Sequence, residues 1–435
     1  MKRTAHYLRL IKIMKDNKGA TLVIVGLVIV VLIGMAALAI DIGHLFVVDN
    51  ELKNAADAGA LTGAQVLYNA LGTEVNQDAN QVAYDVATQN RSDKTAVEVN
   101  WSPGGNTGTD VERGHWSFTT RTFTPNDSLA PVDLWDVSTE ELDLNTDFIN
   151  ASRVRTRRES TPVASFFARI LGHQSFARSA EAIAYRGFAG TLEPGVADQP
   201  IAICKQAILD ADGRYTCGVG RMINSGSNPG HQTAGWSNFT QDPCETASAN
   251  SVKPFVCGSG NPTPIFLGEG MGTTGGEVQV AFDNLIKCWK NAMFDSNGDG
   301  IPDTSLDSDG DGWPDKKWSL TLPVIECPGN NTGNCSVVVG AVEVDVVWIT
   351  RTDKNQFNEV PRKMEEWSCP STFTGQQCWA SFVEHFELRD VLNNTPAFYE
   401  DKTLYFKPSC EPHVPAGRTG GENFGILARI PVLVK

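Results

Sequence analysis

Residues 20–40 form a run of 21 positions without a charge. That is long enough for a helix to cross a hydrocarbon core of about 30 Å. The run does not end in a turn. Residues 41–71 contain no proline, few β-branched residues after Val48, and many Ala and Gly, so the helix is expected to continue out of the membrane. A helix of about 50 residues is roughly 75 Å long. Along its distal part Ala56, Ala60 and Ala64 recur every four residues, with Ala55, Gly59 and Gly63 beside them. A face of small residues lets backbones approach closely. It suits packing on the chain's own sheet and contact with another molecule equally well.

Downstream, the pattern predicts a helix over 76–88 with Ala83, Val86 and Ala87 on one face. Strands are expected at 96–101, 115–123 and 148–156, with turns at 103–108 and 125–127. Pro162 is expected to open a short helix over 163–171, closed by Gly172, before a strand over 176–185. Residues 187–200 are rich in Gly and Pro and mark a boundary. Beyond them, strands are expected at 201–208, 264–267, 320–325, 337–349, 404–407 and 424–434, and a helix at 278–290. The fold class is α+β: a single transmembrane helix extended into an exported domain, an α+β module, then a disulfide-rich, mainly-β domain. The divisions fall at 1–18, 19–71, 72–190 and 200–435.

Charge sets the orientation. Lys2, Arg3, Arg9, Lys12, Lys15 and Lys18 precede the apolar run against one acid, Asp16, and such a cluster stays cytoplasmic. Within 2–15, Ala5, Leu8 and Ile11 alternate with these bases, as in a short helix lying on the inner membrane surface. The first 18 residues carry +5 of a net −15, which leaves −20 on the exported part. That balance excludes nucleic acid as a partner, since its phosphates need a basic patch. All ten cysteines lie beyond position 200 and read as disulfides in an oxidising compartment. The spacings 204/217, 244/257, 327/335 and 369/378 suggest local bridges and leave Cys288 with Cys410, although connectivity does not follow from sequence. Ala37-Leu38-Ala39 has the form of a signal cleavage site, and the segment 18–22 resembles a prepilin junction. The run is long for a signal core, and Ile24 stands where a prepilin has an acid, so an unprocessed anchor is the preferred reading.

The strongest chemical signal is DSNGDGIPDTSLDSDGDGWPD at 295–315. It holds Asp295, Asn297, Asp299 and Asp303, then Asp307, Asp309, Asp311 and Asp315. Alternating acids followed by a glycine turn can wrap six to eight oxygens around Ca²⁺. An EF-hand needs Glu at its twelfth position, where Leu306 and Trp318 stand instead. The tandem units resemble thrombospondin type 3 or bacterial acidic calcium repeats. Calcium is thus the expected cofactor, and its role would be to stiffen an exposed loop. Residues 270–275 match GxGxxG, but a flexible glycine loop is the expected reading. The sequence has no Walker A loop, HExxH or GxSxG elbow, so no catalytic residue is assigned. His44 is expected at an interface or in solvent. Arg153, Arg155 and Arg157 alternate as on one face of a strand and are expected to pair with acids; with Arg158 they could also form a docking surface.

Two stretches carry a family resemblance. Residues 36–65, AALAIDIGHLFVVDNELKNAADAGALTGAQ, resemble the N-terminal module of the Tad/Flp pilus-assembly family, the TadE/TadG-like proteins. There a membrane helix leads through an Asp-x-Gly step, here Asp41-Ile42-Gly43, into an LxNAADAxALAGA helix. Residues 151–184 resemble the VRVxxRRxxPxFFAxxxG element of the same family. The resemblance implies a single-pass inner-membrane protein with the bulk of the chain periplasmic or surface-directed. It would act by assembly with Tad inner-membrane platform proteins or minor pilins, with homo-oligomerisation left open. The von Willebrand A domain with its DxSxS site, common in TadG-like proteins, is not found. The alternative from another class is a surface or filament-tip adhesion protein whose calcium-stabilised β domain, with Trp236, makes the contact. A periplasmic enzyme is a third reading.

Overall fold

The computed structural model describes residues 17–218, 220–224, 233–275, 279–294, 307–308, 310, 313–328, 332–351, 357, 359–390 and 395–435. The basic segment 1–16 and most of the acidic loop 295–315 lie outside these residues.

The apolar run and the small-residue stretch form one helix, α1 (Asn17–Gln65), of 49 residues. Its two halves face different surroundings. Residues 21–36 and 38–40 are exposed, as a lipid-facing span would be, whereas Val48, Leu52, Ala55, Ala56, Ala60 and Ala64 are fully buried. Helix α2 (Ala79–Thr88) buries Ala83 and Ala87 beneath α1. Both helices pack on an antiparallel sheet of β1 (Val111–Ser117), β2 (Thr122–Pro125), β3 (Ala151–Ala164) and β4 (Ser175–Tyr185). The spatial order is β4-β3-β1-β2, and the C-terminal strand Val432–Leu433 pairs with the far edge of β4. The end of the chain thus returns to the first sheet.

The small-residue face is spent within the molecule. Ala56, Ala60 and Ala64 meet Ala83, Ala87, Val111, Val154, Ala182 and Ala184. A Cβ on Gly63 would lie 2.5 Å from Ser152 Oγ and 2.9 Å from Ala83 Cβ, so the close approach of α1, α2 and the sheet requires glycine there. Of the two roles open to this face, packing on the chain's own sheet is the one realised.

Several expected elements take other forms. The strand expected over 115–123 is a hairpin, because Arg121 turns left-handed at φ +54°. Of 96–101 only Ala96 belongs to a strand, the short Thr95–Ala96 paired with Arg91–Ser92, and Glu98 makes an isolated bridge to Arg157. Pro162 lies inside β3 at a break in register between Arg158 and Val163, where a missing N–H is tolerated. The helix expected after it shrinks to the 3₁₀ turn Ala168–Leu171, although Gly172 does close it at φ +94°.

Among the described residues the second sheet has seven strands: β5 (Ile201–Cys204), β6 (Arg221–Asn224), β7 (Ala234–Ser237), β8 (Gly270–Thr274), β9 (Trp318–Ile325), β10 (Cys335–Thr350) and β11 (Thr403–Pro408). Their order is β8-β7-β5-β9-β10-β11-β6. Because β8 also pairs with the start of β10, strands β5, β7, β8, β9 and β10 form a closed ring. Helices α3 (Gln279–Phe294) and α4 (Gly375–His385) bring Phe282, Leu285, Trp289, Trp379 and Phe382 to a large aromatic core with Trp348 and Tyr405. The residues 424–434 are not one long strand. Phe424, Ile426, Leu427 and Ala428 are buried as a plug, and Ala428 N–H donates to Gly187 O.

The expected disulfide pairing is corrected. The bridges are Cys204–Cys327, Cys217–Cys410, Cys244–Cys335, Cys257–Cys288 and Cys369–Cys378. Only 369/378 is local as expected. The reason lies in the topology: Cys204 and Cys327 follow from the parallel neighbours β5 and β9, which sequence spacing cannot bring together. The GxGxxG stretch is no flexible loop. It is strand β8, where a Cβ on Gly272 would overlap Glu245 O at 2.0 Å, so glycine serves close backbone packing.

Candidate functional site

The features that bear on function cluster where α1 leaves its exposed segment. Asp41 is buried, and it follows directly on the uncharged run. Its carboxylate accepts hydrogen bonds from the backbone N–H groups of Phe166 (2.8 Å), Phe167 (3.0 Å) and Ala168 (2.6 Å) at the tip of the β3–β4 hairpin. A carboxylate at the edge of an apolar segment is costly unless it is satisfied. Here the satisfying donors are the otherwise unpaired N–H groups that open a 3₁₀ turn. The aspartate and the tip therefore stabilise each other across 125 residues of sequence. One turn further along, the ring of His44 lies 5.0 Å from Phe166, and its Nε2 is 3.4 Å from Asp93.

Polar clamps continue up the helix. Arg178 on β4 donates to both carboxylate oxygens of Asp49. Lys53 Nζ donates to Glu181 O at 2.8 Å, and Thr156 Oγ1 to Leu52 O at 2.8 Å. Arg186 closes the far end, donating to Gln65 O and Ala428 O. The helix is thus tied to its sheet from Asp41 to Gln65.

The arginine ladder meets the expectation of acid pairing. Arg153 pairs with Glu112, Arg155 with Glu181 at 2.8 Å, and Arg157 with Asp110. Glu112 and Asp110 are each 1% exposed, so these pairs are structural. Arg158 points to the opposite face, as strand alternation demands, and donates to Ser92 O and Thr161. Next to the ladder, Glu98 accepts from the Thr161 hydroxyl (2.6 Å) and from the N–H groups of Thr161 (2.7 Å), Ser160 (2.8 Å) and Glu159 (3.1 Å). Partial burial disfavours its charge, but these donors outweigh that effect and hold its pKa at about 2.

Of the eight acidic-loop residues, Asp295, Asn297, Asp299, Asp303, Asp309 and Asp311 lie outside the described residues. Asp307 and Asp315 are described. The Asp315 carboxylate accepts from Ser308 N–H at 2.8 Å and Ser308 Oγ at 2.7 Å, with Lys363 Nζ 3.8 Å away. Asp315 thus has a local cation and a loop-closing role of its own. Among the described residues, no three His, Cys, Asp or Glu side chains come together as a metal site. Trp236 is buried against Phe282 in the core and does not present a contact surface.

Asp41 is legible in the sequence as a step in a motif, but its role as the ligand of the hairpin tip is not. The exposed FF pair after Pro162 was the available signal.

Comparison with known families gives two adjoining matches. Residues 19–66 match a family described as Flp pilus-assembly TadE/G-like, and residues 62–184 match one described as Tad-like Flp pilus-assembly. They cover α1, α2 and the sheet through β4, less than half of the chain. No curated protein and no solved structure is a significant match to the chain. Over residues 19–184, the helix with its clamped sheet, the chain is therefore similar to the Tad-like families of Flp pilus assembly.

Proposed function

We propose that this protein is a membrane-anchored structural component of a Tad/Flp-type pilus assembly or secretion system, acting through protein–protein assembly in the inner membrane. The observation that carries the reading is α1, a helix long and apolar enough to cross a membrane whose other half is locked onto a sheet of the same chain. Such an element transmits position rigidly from bilayer to ectodomain. The N-terminal bases favour a cytoplasmic start, with the bulk of the chain on the far side. Tad inner-membrane platform proteins or minor pilins are the proposed partners. Since the small-residue face is covered within the chain, contacts with them must use other surfaces.

Calcium binding at 295–315 rests on the two tandem acidic units of the sequence, and its proposed role is to stiffen that loop. The test of the main reading is to delete the gene, complement it with the intact sequence, and count pili by electron microscopy. Loss of filaments with restoration on complementation is expected. Normal pili with lost surface attachment would overturn the assembly reading in favour of adhesion.

A further inference from the structure

The tip of the β3–β4 hairpin presents an apolar surface that the assembly reading does not use. Ile170 is 80% exposed, Phe166 52% and Phe167 39%, and Arg169 between them is exposed as well. A soluble surface seldom gathers three large apolar side chains within five residues. Their position relative to α1 identifies the occupant.

The apolar exposure of α1 does not stop at Ile40. Ile42, Phe46 and Val47 are exposed too, so apolar side chains face outwards from Leu22 to Val47. That stretch is about 40 Å of helix, close to a hydrocarbon core plus part of its interfacial layer. Asp41 lies within it, and Asp41 holds the hairpin tip by three backbone N–H groups. Ala37, one turn below on the same face, is the one position of 21–40 that is not exposed, and the turn Ala168–Leu171 lies against the helix. The tip therefore sits at the level of Asp41, within the stretch of helix whose apolar side chains face outwards.

We propose that the hairpin tip 166–170 is a second membrane contact: Phe166, Phe167 and Ile170 enter the lipid interface of the leaflet from which α1 emerges. Arg169 would reach the lipid phosphates while its neighbours sit among the acyl chains. Two contacts on one rigid unit fix the tilt and the rotation of the ectodomain, which one helix alone leaves free. The proposal rests on the membrane-spanning reading of α1.

The test uses the full chain in vesicles. All ten native cysteines are paired, so single cysteines introduced by I170C, L32C and D212C can each carry an environment-sensitive fluorophore. Leu32 lies in the middle of the exposed apolar run, and Asp212 on an exposed turn of the ectodomain. Lipids bearing a nitroxide quencher then report contact. The expected result is blue-shifted emission and strong loss of intensity at 170 and 32, with neither at 212. Quenching at 32 but not at 170, whatever the colour of the emission at 170, would overturn the proposal and point to a protein partner or to solvent. Absence of quenching at 32 would overturn the anchor reading and the proposal with it.

Discussion

The two sheets of this molecule are held together by different means. The first is closed by small residues and charges: alanines and glycines let α1 and α2 approach, and arginines pair with carboxylates that are almost fully buried. It contains no cysteine. The second is closed by volume and covalent links, with Trp289, Trp348, Phe382 and Tyr405 fully buried and five disulfides around them. A close-approach interface has a narrow tolerance and transmits position well, which suits a part that couples to a membrane. A cross-linked aromatic core resists unfolding, and it leaves loops free to vary.

The contrast is broken most severely by removing long-range disulfides. Cys217–Cys410 closes a loop of 193 residues, and Cys204–Cys327 one of 123. Loop-entropy reasoning gives about 5 kcal/mol for either, against about 2.5 kcal/mol for the 9-residue loop of Cys369–Cys378. In denaturant melts, C217A/C410A should therefore lower the stability of the second sheet about twice as far as C369A/C378A, and the first sheet should be spared. Equal losses would show that loop length does not govern.

The first sheet is attacked through its charges. Arg153→Met leaves the buried Glu112 carboxylate without its cation and should cost about 3 kcal/mol. Adding Glu112→Gln should recover part of that loss, as measured by circular dichroism melts of the double variant.

Calcium should act on the second sheet alone. At a hundredfold excess over its dissociation constant it would add about 2.7 kcal/mol. A chelator should remove that increment, and substituting Asp299 and Asp311 by Asn should make the melt indifferent to chelator. A melt of the intact chain that ignores calcium would refute the site.

The smallest effect is pH-dependent. Glu98 is held at about 2, below the ordinary glutamate value of 4.5. Its contribution is present above pH 4.5 and fades as pH falls towards 2. Glu98→Gln should cost about 1 kcal/mol at neutral pH through weakened hydrogen bonds to 159–161. That difference from the native chain should shrink as pH falls towards 2 and vanish below it.

These regions also differed in how far the sequence revealed them. In the first, the signals are local. The uninterrupted helix, the alternation of Arg153, Arg155 and Arg157, and Gly172 as a stop each follow from neighbours a few residues apart. What escaped was the partner of Asp41, since a hydrogen bond spanning 125 residues leaves no periodic trace. In the second region, β5 pairs in parallel with β9 and the cysteines follow that topology, so spacing misled. Helix α4 carries local signals that the sequence does show. Thr374 and Gln377 form a capping box, and Cys378, Trp379, Phe382 and Val383 lie on one face. The sequence marks where calcium would bind, but most of that loop lies outside the described residues.

The central claim is that one unbroken helix joins bilayer to ectodomain. It is tested most directly by a distance. Spin labels on L22C and K53C in nanodiscs, read by double electron–electron resonance, should give a single narrow separation of about 46 Å, from 31 residues at 1.5 Å each. A broad or markedly shorter distribution, from a bend at Asp41-Ile42-Gly43, would contradict it.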